Sequence, residues 1–350
     1  MRFNINHNNL LDIINLNFNV YYPLKEFVSK KNFLSITRKY RLVSDEFFPL
    51  PIFINISLNL YNKYKSNKII KAYYKSKKVC NLEIKSFYTL DKKKVGKLIF
   101  QTNDINHPGF KQFLNSGDYF IHCKIKNFNN KIMRNLHFSY PSEIKSKFIK
   151  CKLKTVVGFH TRNVPHRAHE WIHALGLSKC EGLFIHPIIG QYKKNEYKEK
   201  IIIKSNLKLI KDIYKNKNIF FGLFNSYPRY AGPRESLFHA VVRRNYGCTH
   251  FMLGRDHAGV EKYYAKYASQ KLCLKYENDL KIKIISFKEP YLCNICKKIV
   301  NKKCVHNYKV SKKLISGTLI RKLILQNLKI PDIYMRKKIS SLLKQSSIIL

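Results

Sequence analysis

The sequence predicts an α/β protein in which a β-rich segment precedes a parallel sheet with crossover helices. Two observations lead to this prediction. Up to about residue 150, short apolar segments alternate and break often, which is typical of a β-rich domain with some helix near its start. From about Leu153, buried-strand candidates alternate with helical stretches. We therefore expect three consecutive domains, at 1–150, 151–310 and 311–350.

Two segments carry the β prediction in the N-terminal part. They are PLPIFINISLNL, from Pro49, and VGKLIFQT, from Val95. Both combine apolar residues with short polar interruptions, so we expect both to form strands.

The second part shows the pattern of parallel strands joined by helices. The strand candidates are Thr155–Phe159, Gly182–Gly190, Asn218–Phe224 and Thr249–Gly254. The helix candidates between them are His166–Leu177, Glu196–Tyr214 and Pro233–Tyr246. Ligands of such sheets bind beyond the carboxyl ends of the strands, which is where three polar motifs follow. A Cys/His cluster and a helical tail, Ser316–Leu350, complete the chain.

Composition excludes several classes of protein. The 350 residues are 45% hydrophobic and 13% aromatic, which provides a sizeable core and excludes disordered and collagen-like chains. No apolar run has the roughly 18 residues that a membrane span needs, and we identify no secretory signal. Nine cysteines in so long a chain do not suggest a disulfide framework. We expect a cytoplasmic protein without a membrane partner.

The charge is strongly positive, because 67 Lys and Arg oppose 21 Asp and Glu, for a net charge of +46. Such a charge suggests a nucleic acid or an anionic membrane surface as partner. The lysines, however, are spread over the whole length, whereas seven of the 13 arginines lie between Arg162 and Arg255. We interpret the overall charge as compositional and the arginine-rich middle as functional, and we expect no specific nucleic-acid partner.

The first motif, FHTRNVPHRAHE, spans Phe159–Glu170 and follows the first predicted strand of the sheet. Pro165 suits the first turn of a helix, and His166 and His169 share one face of that turn. A helix N-terminus with two imidazoles and Arg162 is suited to nucleotide phosphates. Two solvated histidines or a metal-binding pair are the alternatives.

The second motif, YAGPRESLFHAVVRRNYGCTHFMLGRDHAG, spans Tyr230–Gly259. Its GPRE segment begins a helix with Arg234, a candidate substrate-binding residue, in the first turn. Its GRDHAG segment follows a predicted strand, where Asp256 could orient its neighbours or bind the metal of a metal–nucleotide complex. A simple turn is the alternative.

Two further motifs lie near the C-terminus. SGTLIR, Ser316–Arg321, offers hydroxyl and N–H groups to phosphate oxygens, although a plain helix cap explains it equally well. The other motif supplies three thiolates and one imidazole, a complete tetrahedral zinc set without an open position, so we expect a structural Zn²⁺. Its candidate ligands are Cys293, Cys296, Cys304 and His306. Unligated cysteines are the alternative.

In order and spacing, these motifs resemble those of the ATP sulfurylase (sulfate adenylyltransferase) family. YYPLKEFVSKKNFLSI and FFPLPIFINIS extend the resemblance into the N-terminal part, so it covers nearly the whole chain. The resemblance implies a PUA-like β-barrel domain, a Rossmann-like nucleotidyltransferase domain and a small C-terminal helical region. The Cys/His cluster is similar to a zinc knuckle of some prokaryotic members.

The family's reaction is implied with the fold. ATP, bound with Mg²⁺ as MgATP, and sulfate form adenosine 5′-phosphosulfate and diphosphate, or the reverse, by direct in-line attack on the α-phosphate. These four compounds are the expected partners. The family also implies a homodimer or higher homo-oligomer.

Catalytic residues follow from the match to the family's T-R-N and H-x-x-H. Thr161, Arg162 and Asn163 correspond to the first, with Arg162 expected to bind sulfate and the whole loop expected to contact the nucleotide. His166 and His169 correspond to the second and are expected to steady the phosphates.

The family's nucleotide-binding G-R-D-H corresponds to Gly254, Arg255, Asp256 and His257. The resemblance places the next residue, Ala258, beside sulfate.

One departure concerns His160, because the family usually has Gln at this position, which is associated with sulfate and the nucleotide. An imidazole can also donate a hydrogen bond, so we expect altered sulfate affinity. In addition, the family usually has N-P-x-H, whereas Pro165 stands one position later. A divergent inactive relative, an adenylyltransferase with another acceptor and a basic RNA-binding protein with a PUA-like module are the competing hypotheses.

Overall fold

The structure is a computed structural model that describes residues 1–190, 194–255, 257–301, 304–306 and 312–349. The chain forms two compact units. The first unit consists of Met1–Lys147, Asn225–Gly247 and Asp256–Ile284. The second unit consists of Phe148–Phe224, Cys248–Arg255 and Ile285–Leu350. Each unit combines three segments, whereas the domains predicted from the sequence are consecutive, and their boundaries stay a prediction.

The described residues contain short strands throughout the chain. The strands are β1 (Arg2–Asn4), β2 (Asn55–Ile56), β3 (Ile69–Tyr74), β4 (Lys77–Tyr88), β5 (Tyr119–Lys126), β6 (Val156–Thr161), β7 (Gly182–Ile189), β8 (Ile219–Phe221), β9 (Phe224–Asn225), β10 (His250–Leu253), β11 (Lys283–Ser286), β12 (Tyr291–Cys293), β13 (Ile299–Val300) and β14 (Lys312–Lys313).

Helices connect most of these strands. The helices are α1 (His7–Asn17), α2 (Lys30–Lys39), α3 (Leu58–Tyr64), α4 (Lys92–Phe100), α5 (Pro108–Leu114), α6 (Pro141–Lys150), α7 (Arg167–Leu177), α8 (Glu199–Ile213), α9 (Pro233–Asn245), α10 (Ala268–Lys275), α11 (Glu277–Leu280), α12 (Gly317–Leu325) and α13 (Lys337–Ser340). Among the described residues, none of them combines the length and the apolar character that crossing a bilayer requires.

The first unit contains a sheet with the strand order β1-β3-β4-β5-β2. β1 runs parallel to β3, and the other neighbours are antiparallel. Aromatic rings from two helices, a strand and the loop before β2 pack together in this unit, where Phe33, Phe53, Phe113 and Phe120 have centroids 5.3–6.4 Å apart. Such rings bury a large apolar area and stabilise the unit in the absence of disulfides among the described cysteines.

The strand prediction for the segment from Val95 was wrong, because its residues from Val95 to Phe100 lie in α4. The side chain of Asp91 accepts a hydrogen bond from the Lys94 N–H at 3.0 Å and caps the helix. Val95 and Ile99, four residues apart, are both buried, so the apolar residues follow a helical period.

The prediction for the segment from Pro49 holds for two residues only, those of β2. Ser57 then caps α3 by accepting a hydrogen bond from the Leu60 N–H at 3.5 Å, so the apolar residues after it are helical. A capping serine inside the alternating pattern ends the strand.

Strands β6, β7, β8 and β10 of the second unit form the predicted parallel sheet, in which the strand order is β11-β10-β6-β7-β8. The pairs β10 and β6, β6 and β7, and β7 and β8 all run parallel. Three of the four predicted strands are confirmed as single strands. The fourth, Asn218–Phe224, is divided into β8 and β9, and the Gly222 N–H between them bonds to the Ile185 carbonyl at 3.1 Å.

The order of the strands reverses direction at β6. The chain proceeds from β6 outward to β7 and β8, and then returns to form β10 on the opposite side of β6. In α/β sheets, a crevice opens at such a reversal, outside the carboxyl ends of the two strands. The edge formed by the ends of β6 and β10 is therefore the expected ligand-binding edge.

The C-terminal region packs onto this sheet. Val157 and Met252 from the strands share one apolar core with Ile320 and Ile324 of α12. The predicted helical tail, Ser316–Leu350, is only partly helical, because irregular chain separates α12 from α13. Pro331 lies in that interval, where it lacks an N–H and disfavours a helical residue before it.

Candidate functional site

The loop after β6 holds the first motif at the carboxyl edge of the sheet. Thr161 is the last residue of β6 and is buried, and its Oγ1 accepts a hydrogen bond from the Asn163 N–H at 3.1 Å. This bond turns the chain sharply out of the strand. Arg162, at the turn, has a side chain that is 52% exposed. His160 is half-buried one residue before the strand end, in register with His186 of β7.

His166 ends this loop as the N-cap of α7. Its Nδ1 accepts a hydrogen bond from the His169 N–H at 3.3 Å. An imidazole nitrogen that accepts has no proton, so the neutral ring carries its proton on Nε2. His166 therefore satisfies the helix end with one nitrogen and offers the other as a donor.

The two motif histidines stack on each other. Their ring centroids are 3.7 Å apart, with the planes inclined by 20°. Burial lowers the pKa of His166 to about 4, and burial together with His166 and His173 lowers the pKa of His169 well below its usual value. Both rings are neutral at neutral pH, so they can act on phosphates as hydrogen-bond donors and not as cations.

His173 continues this row of imidazoles and was not among the predicted site residues. Its Nδ1 lies 2.8 Å from the Tyr214 hydroxyl, and Phe159 packs edge-on against its ring at 4.5 Å. Burial lowers its pKa to about 3. The spacing His166, His169, His173 follows one helix face, which is the sequence signal that could have identified it.

We expect the buried His173 to make stability depend on pH. The unfolded chain binds this proton near the ordinary pKa of 6.5, whereas the folded protein excludes it down to about pH 3. Between these values the unfolded state binds more protons, so the free energy of unfolding falls as the pH falls. From pH 7 to pH 5, wild type should lose about 2 kcal/mol more than His173→Gln in urea unfolding. His137→Gln, which removes an exposed imidazole, is the control. Equal losses in wild type and His173→Gln would contradict the prediction.

The SGTLIR motif lies against the loop after β6. Arg321 Nη1 donates to Asn163 Oδ1 at 2.7 Å, and Ser316 caps α12 by accepting from the Leu319 N–H at 3.2 Å. A Cβ atom on Gly317 would lie only 2.4 Å from Asn163 Oδ1, so glycine is needed for this approach. Two motifs about 150 residues apart therefore meet at one side chain.

Glu196 joins the same group of residues. Its Oε2 lies 3.6 Å from Arg321 Nη1, and its Oε1 lies 4.0 Å from Arg162 Nη1. Neither Glu196 nor Arg321 was predicted as a site residue. Arg321 stood in a motif that the sequence had singled out, whereas no sequence signal marked Glu196.

Gly254 and Arg255 of the GRDH motif follow β10, the second strand at this edge. Arg255 Nη1 forms an ion pair with Glu289 Oε2 at 2.7 Å. A Cβ on Gly254 would meet only the Phe287 ring, at 3.4 Å, which is an ordinary contact. Asp256 lies outside the described residues.

His257 and Ala258 belong to the first unit. His257 Nε2 lies 3.0 Å from His239 Nδ1, and the His257 carbonyl accepts a hydrogen bond from the Ser269 hydroxyl at 2.7 Å. Burial, together with Arg243, lowers the pKa of His257 to about 3. Ala258 has a φ of +56°, a strained conformation for a residue with a Cβ.

Arg234 is 2% exposed, and its hydrogen bonds connect several segments of the first unit. Its guanidinium donates to the backbone carbonyls of Pro49 and Thr37 at 2.8 Å, of Ile36 at 3.1 Å and of Leu98 at 3.3 Å. These bonds give Arg234 a structural role, and none of them supports the predicted contact with substrate, which stays a prediction.

The four predicted zinc ligands come together in the second unit. Ligand atoms of Cys293, Cys296, Cys304 and His306 all lie within 4.8 Å of one another. Cys293 ends β12, which pairs with β13 and β14 in a small antiparallel sheet. Burial raises the pKa of the Cys293 thiol, but hydrogen bonds from the amide N–H groups of Cys296 and Ile295 and from the side chains of Cys304 and Cys296 together lower it to about 6. The donor set and its spacing fit one tetrahedral Zn²⁺.

Comparison with protein families finds two matches. A family model described as ATP-sulfurylase matches residues 137–346, and a model described as a PUA-like domain matches residues 1–130. Together they cover nearly the whole chain. The predicted fold class, a PUA-like domain followed by an α/β catalytic domain, is thereby confirmed.

Curated proteins named sulfate adenylyltransferase are similar along nearly their whole length. The protein of Pyrococcus abyssi is 33% identical over 344 residues, which are 97% of this chain and 89% of that protein. The protein of Carboxydothermus hydrogenoformans is 30% identical over 351 residues, covering 99% and 92%.

A solved structure described as the hexameric APS kinase from Thiobacillus denitrificans is similar in fold. The TM-score is 0.73 at 14% identity, over 97% of this chain. This chain spans 62% of the length of that one.

Proposed function

The chain belongs to the ATP-sulfurylase family, and we propose that the residues at the carboxyl edge of its parallel sheet perform the sulfate adenylyltransferase reaction. In this reaction an oxygen of sulfate forms a bond to the α-phosphorus of ATP. The bond from that phosphorus to the bridging oxygen breaks, and diphosphate leaves with the electron pair. The products are adenosine 5′-phosphosulfate and diphosphate, so the protein is a nucleotidyltransferase.

The difficulty of this reaction is electrostatic. Sulfate is a weak nucleophile, and the triphosphate that it must approach is also an anion. No covalent intermediate with the protein is needed. The protein must hold the two anions in line and offset their charges, which fixed donors do at little reorganisation cost.

The described geometry supports a division of roles in the second unit. Arg162 is half-exposed at the strand end, and its planar fork of N–H groups suits two sulfate oxygens. The Nε2–H of His166 and the positive end of the α7 helix dipole suit phosphate oxygens, which gain charge as diphosphate leaves. Asn163, held by Arg321, can present its amide N–H₂ to the nucleotide.

One observation carries this proposal. Asn163 receives the Arg321 guanidinium at 2.7 Å at the point where the sheet reverses its strand order. Arginine and amide groups of two motifs thus meet at the edge where ligands of such sheets bind, and His166 follows in the same loop.

The remaining predicted residues concern the nucleotide and the acceptor. We propose that ATP binds as its Mg²⁺ complex and that Gly254, Arg255, Asp256 and His257 bind the nucleotide. His160 and Ala258 would lie beside sulfate. In the resting protein, Arg255 pairs with Glu289 at 2.7 Å, an ion pair that the nucleotide phosphates could replace.

Sulfate-dependent release of diphosphate from ATP tests the function. The purified protein should release diphosphate only when MgATP and sulfate are both present. Release with selenate or molybdate but not with sulfate would identify another acceptor. Failure to release diphosphate with any of these oxyanions would contradict the function. Tight RNA binding that weakens steeply with salt, together with that failure, would favour an RNA-binding protein instead.

Zinc is a separate part of the proposal. The four ligands would hold one Zn²⁺ without an open position, so the ion would stabilise the small sheet of β12, β13 and β14 and take no part in the reaction. Elemental analysis measures its occupancy, with Cys296→Ser as the depleted variant and the exposed Cys151→Ser as the matched control.

We also propose that the protein is a homo-oligomer. Light scattering of the purified protein, which gives its molecular mass in solution, tests this proposal.

A further inference from the structure

Glu196 is a carboxylate at the anion-binding edge to which the reaction assigns no role. It lies between two guanidinium groups, with Oε1 4.0 Å from Arg162 and Oε2 3.6 Å from Arg321. Its side chain is only 18% exposed. Burying a carboxylate is costly unless cations offset its charge, so this placement is a feature of the site and not of a solvated surface.

The two guanidinium groups are held very differently. Arg321 is 15% exposed, donates to Asn163 Oδ1 at 2.7 Å and lies 3.4 Å from the Thr318 hydroxyl. Arg162 is 52% exposed, and its 4.0 Å distance to Glu196 is the outer limit of an ion pair. A pair of this length in which the guanidinium is exposed is weak and can exchange partners. Arg321 is therefore anchored, whereas Arg162 can move.

Glu196 itself stands on fixed backbone. Its carbonyl accepts a hydrogen bond from the Ile349 N–H at 2.9 Å, and the next residue, Tyr197, is buried and paired with Ile348 in a β-bridge. When a new anion reaches the edge, the group that changes partner is thus Arg162.

We propose that Glu196 competes with sulfate for the guanidinium of Arg162 and thereby sets the affinity of the site for sulfate. This inference rests on the proposed function, in which Arg162 binds sulfate. In the free protein, Oε1 of Glu196 pairs with Arg162. When sulfate binds, Arg162 turns to the sulfate oxygens, and Glu196 keeps its contact with Arg321.

Charge counting gives the direction of the effect. Two guanidinium groups and one carboxylate leave one net positive charge, whereas a neutral glutamine at position 196 would leave two. The glutamine variant also removes the internal partner of Arg162. Both changes favour the bound sulfate.

The test is the Michaelis constant for sulfate, measured by diphosphate release at saturating MgATP. In Glu196→Gln the KM for sulfate should fall by about threefold to fivefold, the upper part of the range for a weak ion pair, while the KM for ATP changes by less than about twofold. A purely structural role of Glu196 would not lower one constant and spare the other.

Asp212→Asn is the matched control. It removes one carboxylate from α8, where Asp212 pairs with Lys208 at 2.9 Å, so it changes the net charge equally. Its KM for sulfate should equal that of wild type. An equal fall in both variants would assign the effect to overall charge and overturn the inference, as would an unchanged or higher KM in Glu196→Gln.

Two further variants separate the possible failures. In Arg162→Gln the sulfate dependence should be lost, and a wild-type KM for sulfate there would contradict the proposed function itself. If Arg162→Gln loses sulfate dependence but Glu196→Gln binds sulfate no better, only the proposed competition is wrong.

Glu196→Asp keeps the negative charge, but its carboxylate ends one methylene further from Arg162. This variant should therefore also lower the KM for sulfate, by a smaller factor than Glu196→Gln.

Thermal stability provides a measurement that needs no turnover. A ligand that binds only the folded state raises Tm according to its affinity. At equal sulfate concentrations below saturation, sulfate should raise the Tm of Glu196→Gln more than that of wild type or Asp212→Asn. An equal or smaller rise would overturn the inference even if the variant turns over too slowly for kinetics.

Discussion

Replacement of Arg162 by lysine should lower kcat/KM for sulfate by about 10²–10³-fold, although the charge is retained. Arg162 presents a planar fork that can bind two oxygens of one sulfate, whereas a lysine ammonium is a point charge with no such plane. Half of its side chain is exposed at the turn after β6, so the substitution disturbs little packing. The measurement is the initial rate of diphosphate release over a range of sulfate concentrations.

The control for this substitution is Arg38→Lys. Arg38 is an exposed residue in the last turn of α2, so the same chemical change there should leave kcat/KM for sulfate within about twofold of wild type. Near-normal kinetics of Arg162→Lys would refute the assignment of Arg162 as the sulfate-binding residue.

Replacement of His166 should separate its two roles. His166 caps α7 through Nδ1 and, in the proposed reaction, donates to phosphate through Nε2. Asparagine can cap a helix with its side-chain oxygen but lacks the second donor at the same place. His166→Asn should therefore keep its stability and lose about 10²-fold in kcat/KM, whereas His166→Ala should lose both, with about 1 kcal/mol of stability from the cap.

Urea unfolding and diphosphate release measure the two quantities. The matched control is Ser29→Ala, because Ser29 caps α2 of the first unit by accepting from the Asn32 N–H at 3.2 Å. It should lose a similar amount of stability and keep its kcat/KM. A fully active His166→Asn would show that the imidazole serves the helix end alone.

The neutrality of the histidines changes how the charge of the site is counted. Burial lowers the pKa of both His166 and His169, so neither ring is a cation at neutral pH. The cations that pair with Glu196 near the strand end are the guanidinium groups of Arg162 and Arg321. Because one carboxylate lies between Arg162 and Arg321, the anion-binding strength depends on a balance that substitution of Glu196 can shift.

Sequence periodicity predicted the parallel sheet well and the N-terminal part less well. A strand buried on both faces contains a continuous apolar run, and β6, β7 and β10 contain the runs 156–159, 183–185 and 251–253. In the N-terminal part, Val95 and Ile99 belong to both a strand-like and a helical pattern. The Asp91 cap decides between them, and it lies outside the apolar run.

The sequence predicted only those parts of the candidate site that lie within a single motif. The loop from Thr161 to Asn163 follows from local spacing after a strand. The sequence predicted Pro165 in the first turn of the helix, whereas the helix begins at Arg167 and His166 is its N-cap. Arg321 belongs to a motif that the sequence singled out, but the sequence did not predict its contact with Asn163, because the two positions are 158 residues apart. Glu196 had no local signal at all.

The sequence by itself determined the alternation of strands and helices, the motifs that follow the strands and the family to which the chain is similar. Those are properties of neighbouring residues, whose spacing sets which face of a strand or helix they share. Only the tertiary structure decided that Arg234 is used inside the first unit and that Glu196 lies between Arg162 and Arg321. Such pairings depend on the order in which strands assemble into the sheet, and packing of the whole unit selects that order.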